Sequence, residues 1–330
     1  MFKSRTDYLP VPDNWSQWGA IFTNAPLWDP VIRNICQNTG AAEGKIIKAG
    51  YPGSSAVFVV DEKVVVKVFA PFLTKDYHHE VETYRLIDTR LDPVMPELVA
   101  HGTYPDKIDW YFLIMSFVPG EPIRTVRDVI PRQEKKAIAK DLGWYIRRLH
   151  HTPLDDASVI HAKAADWFAF LKERRKRGLE ELRDKTELPL PVLREIFHLL
   201  ASDVFLPSGD FRPSLLNGDF TEDHLLLEKR LGEWRISGLI DWADSLVGAT
   251  EYEWVTLWFG LCGQDVLMFR DIMAAYDPDI RLDRLFRRRM MAYTFIHRFG
   301  PDLIGGLMRQ PAAPKIASLA DMQSWLWPPL

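Results

Sequence analysis

The first third of the chain carries short β-branched runs bounded by turn residues. Lys45–Ala49, Ala56–Val60 (AVFVV) and Val64–Phe69 (VVVKVF) are separated by a Gly50-Tyr-Pro-Gly53-Ser-Ser turn and by Asp61–Lys63. This composition predicts a meander of strands. The period then changes: within Lys75–Asp88, the residues Val81, Tyr84 and Ile87 form one helical stripe. Trp110–Val118 (WYFLIMSFV) reads as a buried strand closed by Pro119-Gly120.

From there the pattern is mainly helical. Pro131–His150 is a long amphipathic helix, and helices are predicted near Asp166–Leu182, Pro191–Leu200, Tyr252–Cys262, Val266–Tyr276 and Leu282–Arg298. One β segment interrupts them. Leu225–Leu227 and Trp234–Ile240 read as buried strands, with Glu228–Glu233 and its Gly232 as their turn. Such a hairpin would return the chain so that Asp241 lies near Asp219 and His224. The coarse architecture is α+β and bilobal: an N-terminal extension at 1–35, a small β-rich lobe at 36–117 with one helix, and a larger helical lobe at 118–330. The extension carries Trp15, Trp18 and Trp28, which are expected to pack onto the body.

Composition narrows the picture without directing it. The chain has 330 residues, 47% hydrophobic and 26% charged, enough for an ample core. A formal net charge of −4 gives no general attraction to nucleic acid or to an anionic membrane surface. Basic clusters at Arg174–Lys176 and Arg287–Arg289 fall in helical segments and read as solvated helix faces. Cys36 and Cys262 are far apart and form no zinc pattern, so free thiols in a reducing compartment are expected. The N-terminal residues lack the apolar core of a signal peptide, and no run approaches the roughly 18 apolar residues of a membrane span. The expectation is a cytoplasmic protein without membrane or nucleic-acid partners. Its oligomeric state is not legible.

The candidate chemistry lies in the polar residues set among these apolar runs. Two acids, Asp219 and Asp241, sit at the edges of apolar runs with one hairpin between them. Carboxylates held together in this way can divide two jobs, one positioning an acceptor hydroxyl and one holding Mg²⁺ on a nucleotide. Lys67 is a charge inside an apolar strand, so it should face a cleft or pair with an acid. The following helix offers Glu80 and Glu82. The Gly50–Ser55 turn, with Ser54 and Ser55, could lay backbone N–H groups and hydroxyls over phosphates, although it is neither GxGxxG nor a P-loop. His150 and His151 end a long helix, where they complement its dipole. Trp254 and Trp258 at i, i+4 read as core.

In order and spacing, these elements resemble the aminoglycoside phosphotransferase and choline kinase-like family, which has a protein-kinase-like fold. The resemblance covers roughly residues 40–300. It rests on Val64–Phe69, the Glu80–Ile87 helix, the Met115–Gly120 hinge, Arg148-Leu-His150, Asn217-Gly-Asp219, Leu239-Ile-Asp-Trp242 and the Gly248 to Trp254 segment. The last of these is most similar to hygromycin-type phosphotransferases. The resemblance implies that Asp219 is the catalytic aspartate and Asp241 the metal-binding one. It also implies that Lys67 contacts nucleotide phosphates, with Glu80 preferred over Glu82 as its partner. The hinge residues Ser116, Phe117 and Val118 would meet the nucleotide, ATP with GTP not excluded, together with Mg²⁺.

Two positions depart from the family pattern, which commonly reads His-Gly-Asp with an Asn five residues beyond the Asp. Here those ends are Asn217 and His224. Asn supplies a hard oxygen that suits Mg²⁺, whereas imidazole suits softer ions. His224 could ligate metal, act through water or contact phosphate, or be a core residue. Only nine residues separate Asp241 from Glu251, too short a link for the activation segment of a protein kinase, which argues for a small hydroxylated acceptor. An aminoglycoside-like antibiotic leads, which would imply a resistance role. Asp244, Glu251 and Glu253 are candidates for its pocket, while Glu251 and Glu253 could equally stabilise a helix start. Residues 119–330 carry 30 Lys and Arg against 31 Asp and Glu, a balance that neither supports nor excludes a cationic acceptor. The Asn217 and His224 exchange supports a second reading, a kinase-like nucleotide-binding or regulatory protein with little turnover. A transition-metal hydrolase on Asp219, Asp223 and His224 is disfavoured by the adjacency of those ligands.

Overall fold

In a computed structural model, the described residues are 8–50, 53–87, 95–154, 164–202, 204–207 and 211–330. Asp88 at the end of the expected helix, Tyr51 and Pro52 of the expected phosphate-side turn, and the first seven residues of the extension lie outside them. The chain divides into two compact units. One comprises residues 1–121, 226–228 and 237–243, and the other comprises the remainder.

The first unit contains α1 (Trp15–Gly19), α2 (Ala25–Thr39), β1 (Ile47–Ala49), β2 (Ala56–Val60), β3 (Val64–Val68), α3 (Thr74–Ile87), β4 (Leu98–Pro105) and β5 (Asp109–Ser116). The five strands form an antiparallel sheet in the order β1-β2-β3-β5-β4. Register decides what each face carries. Phe58, Val66 and Ile114 are opposite one another, as are Ala56, Val68 and Phe112, and all six are buried. Period-two alternation puts Val57, Lys67 and Leu113 on the other face.

The two faces are covered by different helices. Asn14 and Asn24 cap α1 and α2 through their side-chain oxygens. Trp18 and Trp28 from these helices meet Trp110 of β5 with ring centroids 5.5–6.3 Å apart, so the aromatics of the extension complete the first face. On the second face α3 buries Tyr77, Glu80, Val81, Tyr84 and Ile87, a stripe at helical spacing. The Tyr84 hydroxyl donates to Met115 Sδ at 3.4 Å.

The short strand β6 (Glu121–Pro122) falls where the first unit's N-terminal segment ends, at Glu121. The second unit holds α4 (Ile123–Val126), α5 (Arg132–His150), α6 (Ala164–Lys185), α7 (Leu190–Ala201) and β7 (Ser214–Leu216). The hairpin follows as β8 (Leu225–Arg230) and β9 (Glu233–Leu239), then β10 (Leu246–Gly248), α8 (Thr250–Thr256), α9 (Val266–Tyr276), α10 (Arg284–Ile296), α11 (Gly300–Met308) and α12 (Leu319–Leu326). The hairpin strands are longer than their apolar cores. They are joined by Leu231 and Gly232 alone, both at positive φ, as a tight two-residue turn requires. Segments 226–228 and 237–239 of the hairpin belong to the first unit, and its tip belongs to the second.

One expectation is corrected here. Arg174 is not part of a solvated helix face: it is 7% exposed, it donates to the carbonyls of Ile296 and His297 at 2.9 and 3.1 Å, and it pairs with Glu181. Its long apolar stem favours burial once the guanidinium reaches carbonyls at the end of α10. The two cysteines are buried thiols, and burial pushes Cys36 up to about 11, which makes it a poor nucleophile. No helix among the described residues is long and apolar enough to cross a membrane.

Trp28 is 0% exposed and touches both other tryptophans of the cluster. Trp28→Ala is expected to lower stability by about 3–5 kcal/mol. Urea unfolding followed by circular dichroism checks this, and a loss below about 1 kcal/mol would show that α2 is not part of the cooperative fold.

Candidate active site

Each unit carries a polar cluster that bears on the candidate chemistry. In the first, Lys67 Nζ lies 2.6 Å from Glu80 Oε1 and 3.3 Å from Asp241 Oδ1. Glu80 falls on the buried stripe of α3 and is 0% exposed, whereas Glu82 turns outward towards Arg85. Burial works against the ammonium, but the carboxylates of Asp241 and Glu80 outweigh it and hold the Lys67 pKa above its ordinary value. A raised lysine contributes stability that is fully present below its unfolded value and is lost only as pH rises beyond it. Lys67 is therefore a permanent cation across the neutral range.

Asp241 follows β9 with a φ of 63°, in the left-handed region that Asp tolerates better than most residues. Its carboxylate is partly exposed, the Lys67 contact notwithstanding. Around the expected nucleotide loop, Ser55 is buried and Ser54 is exposed, with the Ser54 carbonyl accepting from Trp18 Nε1 at 2.8 Å. Ser116 exchanges hydrogen bonds with the Glu97 backbone, Oγ accepting at 2.8 Å and N–H donating at 2.9 Å. Phe117 N–H donates to the Lys63 carbonyl. Val118 is half-buried beside them.

In the second unit, Asn217-Gly218-Asp219 follows β7. Gly218 has a φ of 77°, and a Cβ there would lie 2.5 Å from the Asp244 carbonyl oxygen, so the position excludes a side chain twice over. This backbone turns away from the β7–β10 ladder, and its N–H groups need other acceptors. Glu253 of α8 supplies them: its two carboxylate oxygens accept from Asn217 N and Gly218 N, each at 2.8 Å. His150 lies 3.4 Å from the same carboxylate. A carboxylate only accepts, so His150 Nε2 carries the hydrogen and Nδ1 accepts from the Tyr276 hydroxyl at 2.9 Å.

Asp219 itself is gripped through its backbone on both sides. Asn217 Oδ1 accepts from Asp219 N at 3.1 Å, and His224 Nδ1 donates to the Asp219 carbonyl at 2.8 Å. The two residues that depart from the family pattern thus hold the backbone of the same residue, one at its N–H and the other at its carbonyl. With Nδ1 committed to the loop, any ligation by His224 would fall to Nε2.

The three acids expected around an acceptor are already engaged. Glu253 is 0% exposed and serves as the anchor of the Asn217–Gly218 backbone, which corrects its reading as a pocket-lining side chain. Glu251 pairs with Arg289 at 2.7 Å. Asp244 pairs with Arg298, whose guanidinium also donates to the Asp244 carbonyl at 2.7 Å.

A cavity of about 450 Å³ opens beside Asp219 in this unit. Phe220, Phe299, Leu303 and Leu307 form its apolar wall, and Asp302 is the second carboxylate on its lining. Much of this wall comes from α11, which the sequence reading missed. The helix is short and contains Gly300, Gly305 and Gly306 with Pro301, so propensity gave no signal. Gly260 lies in a single π-helical turn, Leu257–Leu261, where a Cβ would come within 2.3 Å of the Phe220 carbonyl oxygen. The π-turn therefore allows α8 to approach the segment that follows Asp219.

The described chain has the α+β, two-lobed protein-kinase-like fold of the aminoglycoside phosphotransferases. It is similar to the GDP complex of wild-type aminoglycoside 2'-phosphotransferase-IIIa, with a TM-score of 0.64 and 17% identity over 92% of this chain and 97% of that one. It is also similar to ADP-bound APH(2'')-Ib, with a TM-score of 0.60 and 20% identity over 90% and 96%. The streptomycin–ATP ternary complex of APH(2")-IIa matches with a TM-score of 0.59 and 20% identity over 83% and 89%. Residues 45–286 match the phosphotransferase enzyme family, and the chain belongs to that family.

Glu253→Gln would leave one backbone N–H facing an amide donor instead of an acceptor. A loss of about 2–3 kcal/mol is expected in chemical denaturation without nucleotide. Stability equal to the parent would mean that the loop does not depend on this anchor.

Proposed function

We propose that the protein transfers the γ-phosphoryl group of ATP to a hydroxyl of a small molecule. GTP is the alternative donor, since the complexes of similar structures include both ATP and GDP. The observation that carries the reading is the buried Lys67 cation held between Glu80 and Asp241. A lysine paired to a helix glutamate and a strand-end aspartate is the charge arrangement a kinase needs on its nucleotide.

In this reading Lys67 contacts the phosphates and Glu80 fixes it. Residues Ser54 and Ser55 border the phosphates, and the Ser116–Val118 segment meets the base. Lobe boundaries follow the same division, with nucleotide groups before the hinge and acceptor groups after it. The donor set fits Mg²⁺: Asp241 offers a partly exposed hard carboxylate, and this ion takes one or two protein carboxylates and completes its shell with phosphate and water. When bound, the ion would neutralise charge on the phosphates. The His224 imidazole is a poorer donor for that ion. Its bond to the Asp219 carbonyl makes it a positioning residue for the catalytic loop instead.

Asp219 then acts on the acceptor. Its carboxylate accepts a hydrogen bond from the attacking hydroxyl and orients it towards the γ-phosphorus. The acceptor O–P bond forms as the bond from phosphorus to the bridging β-oxygen breaks. The hydroxyl proton passes to Asp219 and on to solvent, and the nucleoside diphosphate leaves. The transition state is loose, so positioning and electrostatics carry the rate. The low-turnover alternative draws its support from the Asn217 and His224 exchange, and nucleotide binding with Mg²⁺ but no phosphoryl transfer to any acceptor would favour it. The contacts of both residues with the Asp219 backbone support the catalytic reading instead. The streptomycin complex makes aminoglycosides the first acceptors to try.

Asp219→Asn is expected to lower kcat by about 10²–10⁴-fold while nucleotide binding persists. Lys67→Ala is expected to raise the nucleotide KM as well as lower kcat. Nucleotide consumption, matched to an acceptor mass gain of one phosphoryl group, reads both. Near-parental turnover in Asp219→Asn would sink the assignment of the base.

A further inference from the structure

The cavity beside Asp219 has the wrong chemistry for a polycation. Its walls are Phe220, Phe299, Leu303 and Leu307, and its neutral polar groups are Thr221, Thr256 and Gln310. Among the described residues two carboxylates line it, Asp219 and Asp302. Asp219 is the proposed base, which leaves Asp302, near Lys185 Nζ at 2.7 Å but with an exposed side chain, for a ligand's charge. Among the described residues, the acids expected around an acceptor are engaged elsewhere: Glu251 with Arg289, Asp244 with Arg298 and Glu253 with backbone N–H groups. A ligand with several ammonium groups would leave water without matching carboxylates, which is unfavourable. Aromatic and leucine walls favour an apolar body, with a few polar groups to fix orientation.

We infer that the acceptor is a hydroxyl carried on a largely apolar body with at most one positive charge, and not a polycationic aminoglycoside. This rests on the reading of Asp219 as the base. The single charge it tolerates belongs beside Asp302. Gly306 gives a direct handle on the cavity: a Cβ there meets nothing within 4 Å, and its φ is not in the left-handed region. A larger side chain at this position would grow into open space without disturbing the backbone.

The test is a paired acceptor panel on the full chain with nucleotide and Mg²⁺. One arm holds kanamycin, streptomycin and gentamicin. The other holds neutral or monocationic alcohols on apolar skeletons, such as macrolactones, sterol-like alcohols and aryl amino-alcohols. Acceptor phosphorylation is read by mass. The expected result is a kcat/KM higher by about tenfold or more for the apolar arm, with a KM that barely responds to added salt. Gly306→Leu should raise the KM of the best acceptor by about tenfold or more, with a thermal midpoint no lower than the parent's. A preference for the polycations, with a salt-dependent KM, would overturn the inference and leave the proposed reaction standing. An unchanged acceptor KM in folded Gly306→Leu would remove the cavity from acceptor binding and overturn the inference too. No transfer to either arm, with nucleotide still bound, would overturn the proposed reaction itself and this inference with it.

Discussion

A lysine that is 7% exposed inside a five-stranded sheet cannot keep its charge alone, and the first unit is built around that constraint. The pairing partners come from two places far apart in sequence, Glu80 on α3 and Asp241 after β9. The demand for a second carboxylate ties the end of the hairpin to the sheet. Asp241 accepts a left-handed backbone to satisfy it. Such strain costs of order 1–3 kcal/mol and persists only where surrounding contacts impose it. Removing the buried Glu80 carboxylate would leave the cation undercompensated, a change of about 3–5 kcal/mol, and the partly exposed Asp241 contributes less. A hydrophobic triad of similar volume could be equally stable, so stability alone does not explain the charges. A fixed cation next to a partly exposed carboxylate is useful chemically, and the family to which the chain belongs gives that use its context.

The second unit answers a different constraint by the same means. A loop that must present a carboxylate cannot also sit in a ladder, so its N–H groups need acceptors elsewhere. Glu253 takes two of them, Asn217 and His224 hold the Asp219 peptide from either side, and His150 and Tyr276 continue the network into α5 and α9. Burial, followed by the nearby carboxylates, pushes the Tyr276 phenol up to about 12, so it stays a neutral donor to His150. A network in which each member is engaged rigidifies what it holds. Preorganisation is what positioning catalysis requires, because small displacements of a reacting group are costly.

Period and turn chemistry made much of this legible in the sequence. The β-branched runs around Asp61–Lys63 and the long α5 stand where their patterns put them. Lys67 was conspicuous because it broke an apolar run. The Tyr77, Val81, Tyr84 and Ile87 stripe also points to Glu80 over Glu82, without help from the family. β4 was missed because its exposure pattern is ragged and His101 and Gly102 interrupt it, while tertiary pairing with β5 overrides that weak preference. Glu253 was read as a pocket-lining or helix-start acid because its partners are backbone atoms 35 and 36 residues away, and no side-chain pattern records them. Arg174 was misread for the same reason, since its acceptors are carbonyls at the end of α10. Contacts of side chains with distant backbone are the class of interaction that periodicity cannot carry.

That distinction also separates what the fold holds fixed from what it leaves variable. The charged groups proposed for the phosphoryl donor are Lys67 on β3, Glu80 on the buried stripe of α3 and Asp241 after β9, tied together by their own ion pairs. Much of the cavity wall comes from α11, a short glycine-containing helix in which the substitution Gly306→Leu meets no backbone obstacle. A fold shared at 17–20% identity can therefore keep one reaction geometry while the acceptor surface drifts. Similarity at this identity speaks for the fold alone. The proposed acceptor must be read from the residues that line the cavity, where Phe220, Phe299, Leu303 and Leu307 set an apolar wall among polar residues and glycines.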